Sequence, residues 1–571
     1  MPEPPSTRAE DVVDMLHGVA VADPYRWLED GDADETRQWV DAQNAYTRSV
    51  LDTLPERVVI HAILDRLLTT GSVGSPVVRG ERYFYQRRSG RINQPVLLFR
   101  DGVHAAEQVI VDPNRLSGGG IVALDWWYPS NDGRLLAYGL SEGGTEMSTL
   151  RVLDIDRGEH LSADVIPHTR AASLAWLPDD SGFYVTRIPE PGSVPAGEEM
   201  YNRHVFFHPL GQDWHHDQEV FGAGRAREDW PNVDLSDSGR WLVVEVSQGW
   251  ARSEVYLLDR SQPERGFVAV HAGVDALATT AFAGDRLFVR TNYGAPRYEL
   301  YEVDPERVDR VNWRLVLPER EDRVLDGVSA VAGRLAAHEM QNASSHVRLY
   351  GLDGTLQQSV EMLTLGTLTG IGGEWDGDCI GVGYTSFAQP ATAYVVDPET
   401  GRADVLAQGD LPAGFDAARY DVRQDWYTSR DGTRISVFLI HQRGVALGDA
   451  PTLLTGYGGF NVSRTPMFVS ALPVWLDAGG VYVVANLRGG GEYGEAWHRA
   501  GMLGNKQNVF DDFIAAAEWL IDSGVTRPQR LAISGGSNGG LLVGAALTQR
   551  PDLFQAVVCQ VPLLDMLRYQ N

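Results

Sequence analysis

One hexapeptide carries chemistry-bearing residue types at a telling spacing: Gly535-Gly536-Ser537-Asn538-Gly539-Gly540. It contains G-x-S-x-G. It follows the apolar run Leu531-Ala532-Ile533-Ser534 and precedes a helix-like stretch from Leu541 to Gln549. A serine between glycines at a strand-to-helix turn is the pattern of a nucleophile elbow. The sharp turn forces the serine backbone into a strained conformation, and the flanking glycines let strand and helix approach without Cβ clashes. Ser537 Oγ is then exposed, while the Asn538 N–H and the helix N-terminus face a developing oxyanion. A chain with 61 glycines also makes such patterns as plain turns. The flanking strand and helix favour the nucleophile.

A second glycine-rich segment, Gly456-Tyr457-Gly458-Gly459-Phe460-Asn461, follows the strand-like Thr452-Leu453-Leu454. A loop after an early strand can supply a second oxyanion donor. Tyr457 could do so through its phenol, although on spacing alone packing is the better account of it. A third segment, Asn486-Leu487-Arg488-Gly489-Gly490-Gly491-Glu492-Tyr493-Gly494, lacks the Lys-Ser/Thr of a phosphate loop and the register of a dinucleotide site. It reads as a structural loop.

The elements that must position these groups fall into three textures. After about residue 415, strand-like runs at 435–441, 451–457, 481–487 and 530–536 alternate with helical patterns. The clearest helix shows one apolar face through Val509, Phe510, Phe513, Ile514, Ala517, Leu520 and Ile521, with Asn508 as candidate N-cap and Gly524 as candidate C′ residue. Alternating strands and helices predict a parallel, doubly wound α/β sheet. From about 70 to 410, turn glycines at 80, 133, 182, 239, 284, 333 and 377 recur at spacings of 53, 49, 57, 45, 49 and 44 residues, each followed by a strand-like run. Several strands per 40–50-residue repeat predict a seven-bladed β-propeller. Unrelated β-sandwiches would share the turn signals but not the even spacing. Residues 10–70 read as helical, with Trp39, Val40, Tyr46 and Val50 on one face.

Composition narrows the function classes. The 571 residues are 43% hydrophobic and 22% charged, a globular mixture. A net charge of −28 argues against nucleic acid and against anionic lipid as partners. No run of about 18 apolar residues is present to span a membrane. The first 16 residues lack the apolar core of a secretory signal. Cys379 and Cys559 are too few for a disulfide framework and too isolated for a zinc site. A monomeric cytoplasmic protein without metal or cofactor is expected.

Taken together, Asp23–Asp30 (DPYRWLED), the 456–461 segment, 486–498, 505–521 and 535–540 resemble the landmarks of the prolyl oligopeptidase family of serine peptidases, in its order. The resemblance implies an α/β-hydrolase domain with an inserted seven-bladed propeller. Residues 1–70 would be an N-terminal helical segment of the hydrolase domain, 71–412 the propeller and 413–571 the peptidase domain. It implies that Ser537 is the acylating nucleophile and that the Tyr457 hydroxyl and Asn538 N–H form the oxyanion hole. Phe460 and Leu563 would line an apolar pocket for proline, with short proline-containing peptides as substrates. Thr455 departs from the tyrosine common in the prolyl branch. The triad order is Ser, Asp, His, yet all 14 histidines precede Ser537, and the following residues offer only Asp552 and Asp565 as acids. Asp552 reads as a turn residue, Asp565 as too early for the acid, and His498 as part of a structural loop. The hydrolase domain is therefore expected to be incomplete here, its acid and base lying beyond Asn571, and the chain alone inactive. A non-catalytic propeller that binds peptides or proteins is the alternative.

Overall fold

The computed structural model describes residues 3–569 apart from Gly118, Leu363, Thr364 and Ala413. The chain divides into two compact units, residues 1–68 and 69–571. The first unit is not wholly helical. Val13–Leu16 and Val19–Ala22 form an antiparallel hairpin, turned at His17 and Gly18, which both adopt positive φ. Helices Asp34–Leu51 and Arg57–Leu67 follow, and Asp34 and Glu35 occupy the first turn of the former, where the helix dipole favours them.

In the second unit, seven antiparallel sheets span 72–111, 122–166, 174–221, 230–271, 278–317, 324–360 and 366–408, and form a seven-bladed propeller. The predicted turn glycines lie at the hairpin between the first and second strands of each blade. Gly80, Gly133, Gly239, Gly284 and Gly333 adopt φ between +54° and +73°, where a Cβ would be strained. In the third blade Asp180 takes that conformation at +54°, and Gly182 is already in the strand.

A sheet with two apolar faces has to bury both, and the ring does so with a cluster between every neighbouring pair of blades. The last cluster closes the circle. It joins Val73, Val78, Tyr83 and Leu98 of the first blade to Ala393, Val395, Leu406 and Ala407 of the seventh. Ser75 and Thr369 hydroxyls meet across that seam at 2.8 Å, and the Gly80 N–H donates to Glu374 at 2.7 Å. Each blade is a meander of consecutive strands, so the first and seventh meet without sharing a strand.

The α/β domain carries a six-stranded sheet in the order Tyr420–Thr428, Arg434–Gln442, Val481–Ala485, Thr452–Thr455, Leu531–Gly536, Ala556–Gln560. The last four strands are parallel to one another; the first two are antiparallel additions. Strands 420–428 and 434–442 are joined by the tight turn at Asp431-Gly432, too short for a helical crossover, so the pair runs antiparallel. The expected domain boundary at 412/413 touches Ala413, outside the described residues. Helix Gln507–Asp522 packs Val509, Phe513, Ala516, Ala517 and Leu520 into the core beneath the sheet. It ends at Gly524 with φ +70°, as the pattern predicts, but Asn508 is not its cap. The Asn508 amide donates to the Ala500 carbonyl at 2.9 Å, and Lys506 occupies the N-cap position.

Propeller and α/β domain meet through loops between second and third blade strands and through the link from the fourth blade to the fifth. The Glu495 N–H donates to Pro296 O at 2.7 Å, and Arg499 pairs with Asp275 at 3.0 Å. Phe387 packs edge-on against Phe438, and Trp250 edge-on against Phe460 at 5.8 Å.

Candidate active site

Strand Leu531–Gly536 runs between two parallel neighbours, and helix Asn538–Gln549 starts two residues after it ends. Ser537 bridges them at φ 58°, ψ −121°, a conformation that costs on the order of 1–3 kcal/mol. Its N–H is tied to Gln560 O at 3.0 Å, and its side chain is exposed. Gly535 makes the turn sterically possible, since a Cβ there would lie 2.0 Å from Gly539 O. Asn538 is the first residue of the helix, and its N–H has no acceptor among the described residues. This is the orphan donor that a helix N-terminus offers to an anion.

The 456–461 loop is brought directly against this elbow. Asn538 Nδ2 donates to Tyr457 O at 2.6 Å, and a Cβ on Gly459 would lie 2.6 Å from the same Nδ2. Phe460 and Asn461 both take positive φ, +55° and +58°, which turns the loop sharply and leaves the Phe460 ring 40% exposed. Among the described residues, neither the Tyr457 hydroxyl nor Ser537 Oγ has a hydrogen-bond partner. Leu563 sits half-buried on the segment after strand Ala556–Gln560. Its neighbours Pro562 and Leu564 lie against Gly540 and Gly544 of the elbow helix. The structure thus gathers Ser537, Asn538, Tyr457 and Phe460, whereas no recorded contact joins Leu563 to Phe460 among the described residues.

The 486–494 loop is the buttress. Arg488 is buried and holds Asp512 of helix Gln507–Asp522 through Nε and Nη2, at 2.9 and 2.5 Å. Asp512 also accepts from Ser429 Oγ at 2.6 Å. Burial would lower the Arg488 pKa, but Asp512 and Asp431 hold it above its usual value. Glu492 accepts the Arg464 N–H at 2.7 Å, and burial pushes its carboxyl up to about 7. The loop touches the 456–461 segment through the Asn461 N–H, which donates to Gly489 O at 3.1 Å. His498 is buried, with Nδ1 3.3 Å from Glu495 Oε2, in the short helix Glu495–Arg499. Asp552 pairs with Arg550, and Asp565 is exposed.

Sequence reasoning missed Lys506. Its ammonium donates to Gly458 O at 2.8 Å and to Asn538 Oδ1 at 3.0 Å, and burial lowers its pKa to about 8. Its partners are 48 and 32 residues away, so no local pattern marks it.

The fold and the elbow define an α/β-hydrolase with a seven-bladed propeller set against the 456–461 loop beside the elbow. Residues 4–409 match the model of the prolyl oligopeptidase N-terminal β-propeller domain, and residues 466–571 match the prolyl oligopeptidase family model. The prolyl endopeptidase of Elizabethkingia meningoseptica is 32% identical over 571 residues, covering 99% of this chain and 80% of that protein. A solved structure from a study of two prolyl endopeptidases and the role of inter-domain dynamics in their catalysis and specificity superposes with TM-score 0.91. It is 43% identical, over 99% of this chain and 83% of that one. Prolyl oligopeptidase B of Galerina marginata, bound to a 25mer macrocyclization substrate, superposes with TM-score 0.91 at 26% identity, over 99% and 83% of the two chains. The chain belongs to the prolyl oligopeptidase family of serine peptidases.

Proposed function

We propose that this protein is a serine endopeptidase that cleaves short peptides on the carboxyl side of proline through an acyl-enzyme on Ser537. The observation that carries this reading is the elbow itself. Ser537 is exposed and strained, and among the described residues the Asn538 N–H beside it and the Tyr457 hydroxyl, on the loop bonded to Asn538, have no hydrogen-bond partner. In the reaction Ser537 Oγ attacks the carbonyl carbon, and negative charge gathers on the carbonyl oxygen. The Asn538 N–H and Tyr457 O–H donate to that oxygen, and such donors matter most in the transition state. Phe460 supplies an apolar wall for the proline ring. The Trp250 indole of the fourth blade, set against Phe460, restricts the approach to flexible, narrow substrates.

Deprotonating a serine requires a base, because a free hydroxyl is a weak nucleophile. Within these 571 residues every histidine precedes Ser537, and His498 is engaged with Glu495. The 571-residue chain by itself is therefore expected to turn over prolyl substrates only in trace amounts. A triad lacking one member retains roughly 10³–10⁴-fold catalysis over water.

Binding of a peptidyl boronic acid tests the site without turnover: Ser537 Oγ adds to boron, the hydroxyl proton passes to the buffer, and the anionic boronate mimics the tetrahedral state. The native chain should bind the proline analogue more tightly than the matching peptide without boron, bind lysine or aspartate analogues at least about tenfold more weakly, and lose the gain from boron in Ser537→Ala. Equal binding of all three, or indifference to Ser537, refutes the assignment. Fluorophosphonate labelling at the rate of a working serine peptidase would refute the missing base.

A further inference from the structure

Of the 49 cationic side chains in this protein, 48 are arginine; the one lysine is Lys506. It occupies the corner between the elbow and the 456–461 loop. Arginine or histidine supplies the cation of every ion pair among the described residues, and arginine that of every cation–π contact, so a side-chain ammonium occurs at one place only.

The position is a poor one for a cation on stability grounds. Lys506 caps the N-terminus of helix Gln507–Asp522, where the helix dipole repels positive charge. Among the described residues its ammonium has carbonyl acceptors and no carboxylate partner. Burial favours its neutral form. Below its folded pKa of about 8, charging this half-buried amine works against folding.

What the ammonium does there is geometric. Its two acceptors belong to different elements, Gly458 O on the oxyanion loop and Asn538 Oδ1 on the elbow helix. The Asn538 amide then uses its other end to donate to Tyr457 O. The amide is thereby oriented: Oδ1 faces the ammonium and Nδ2 faces the loop. Space is tight, since a Cβ on Gly458 would meet Val509 Cγ1 at 2.2 Å. A compact ammonium can place separate donors on two carbonyls in such a corner, whereas a planar guanidinium fork is wider and differently directed.

We propose that Lys506 is a positioning residue for acyl transfer: by bridging Gly458 O and Asn538 Oδ1 it fixes the distance between the Tyr457 hydroxyl and the Asn538 N–H. This rests on the reading of Ser537 as nucleophile. The bridge touches no substrate atom and acts through the two donors.

The test compares a ligand that needs both donors with one that does not, in the full chain. The first is a peptidyl boronic acid ending in proline; the second is a short proline-containing peptide bound in its ground state. Lys506→Met should weaken the boronate by about tenfold or more while peptide affinity stays within about twofold. Lys506→Arg should fail to restore it. The loss in Lys506→Met/Asn538→Ala should be no larger than in Asn538→Ala alone, because both break one bridge. Unchanged boronate binding in Lys506→Met, equal loss of both ligands, full recovery by arginine, or additive losses would each overturn the proposal. Should the substituted chains not fold, the native protein labelled at lysine gives one side-chain nitrogen resonance. It should shift on boronate binding and hold still with the peptide, and a signal indifferent to the boronate overturns the proposal. The two readings fail separately. A boronate that ignores Ser537→Ala removes both, whereas one that needs Ser537 and ignores Lys506 removes only this one.

Discussion

Replacing Arg488 by methionine would test whether the loop at 486–494 holds the catalytic domain together. Asp512 is fully buried, and two of the groups that face it are Arg488 nitrogens, Nε and Nη2. With the guanidinium gone, the carboxylate keeps, among the described residues, the Ser429 hydroxyl and the backbone N–H of residue 488, the latter at 3.2 Å. Removing one partner of a buried pair costs about 3–5 kcal/mol, because the other charge stays behind without compensation. Helix Gln507–Asp522 carries both Asp512 and the apolar face of the core, so its amides report the loss. Hydrogen exchange across that helix should show protection reduced by roughly two to four powers of ten relative to the native chain. Arg488→Met/Asp512→Leu, which removes both charges, should return to within about 1 kcal/mol of the native chain. A protection loss below about tenfold, or no recovery in the double variant, would refute this account of the pair.

Three further outcomes are expected. Gly535→Ala, whose Cβ would lie 2.0 Å from Gly539 O, should cost about 1–3 kcal/mol in urea unfolding and abolish boronate binding. Gly536→Ala, with nothing nearer than 3.7 Å, should do neither, and matching effects of the two would contradict the steric reading. His208, fully buried in the third blade, titrates near 8: burial lowers its pKa, but Asp164 and Asp217 at 3.0 and 2.6 Å raise it further. A raised pKa gives stability that is full below about 6.5 and lost through 8. The destabilisation by His208→Gln should thus shrink by on the order of 2 kcal/mol between pH 6 and pH 9, and a flat difference would count against it. Phe460→Ala should lower boronate affinity by about 1.5–3 kcal/mol and erode the preference for proline over glycine, as read by competition binding; unchanged selectivity would remove Phe460 from the pocket.

The propeller was legible because its turns are local. Five of the seven marked glycines need positive φ, and that requirement repeats wherever a hairpin recurs. The elbow was legible for the same reason: strand, serine and helix are contiguous in the chain. What escaped is what depends on distant partners or on very short elements. The hairpin at 13–22 has four-residue strands, too few for a period of two to stand out against a helical neighbourhood, although His17-Gly18 marked its turn. Asn508 has the residue type of a cap, yet its amide is claimed by Ala500 O, and Lys506 takes the cap position. Arg488 lies in a segment legible only as a structural loop, because its partner Asp512 is 24 residues on. Leu563 follows the last strand, where no periodic pattern fixes its direction.

The bridging lysine has a practical corollary. A protease that cuts only after lysine finds one bond in these 571 residues, Lys506–Gln507. Folded, that bond sits at a helix start whose side chain is bonded to two carbonyls, so scission must await transient opening of that corner. The cut parts residues 1–506, with the propeller and Tyr457, from residues 507–571, with Ser537. A single band shift on a gel thereby becomes a stopwatch for one local fluctuation, free of background from any other site.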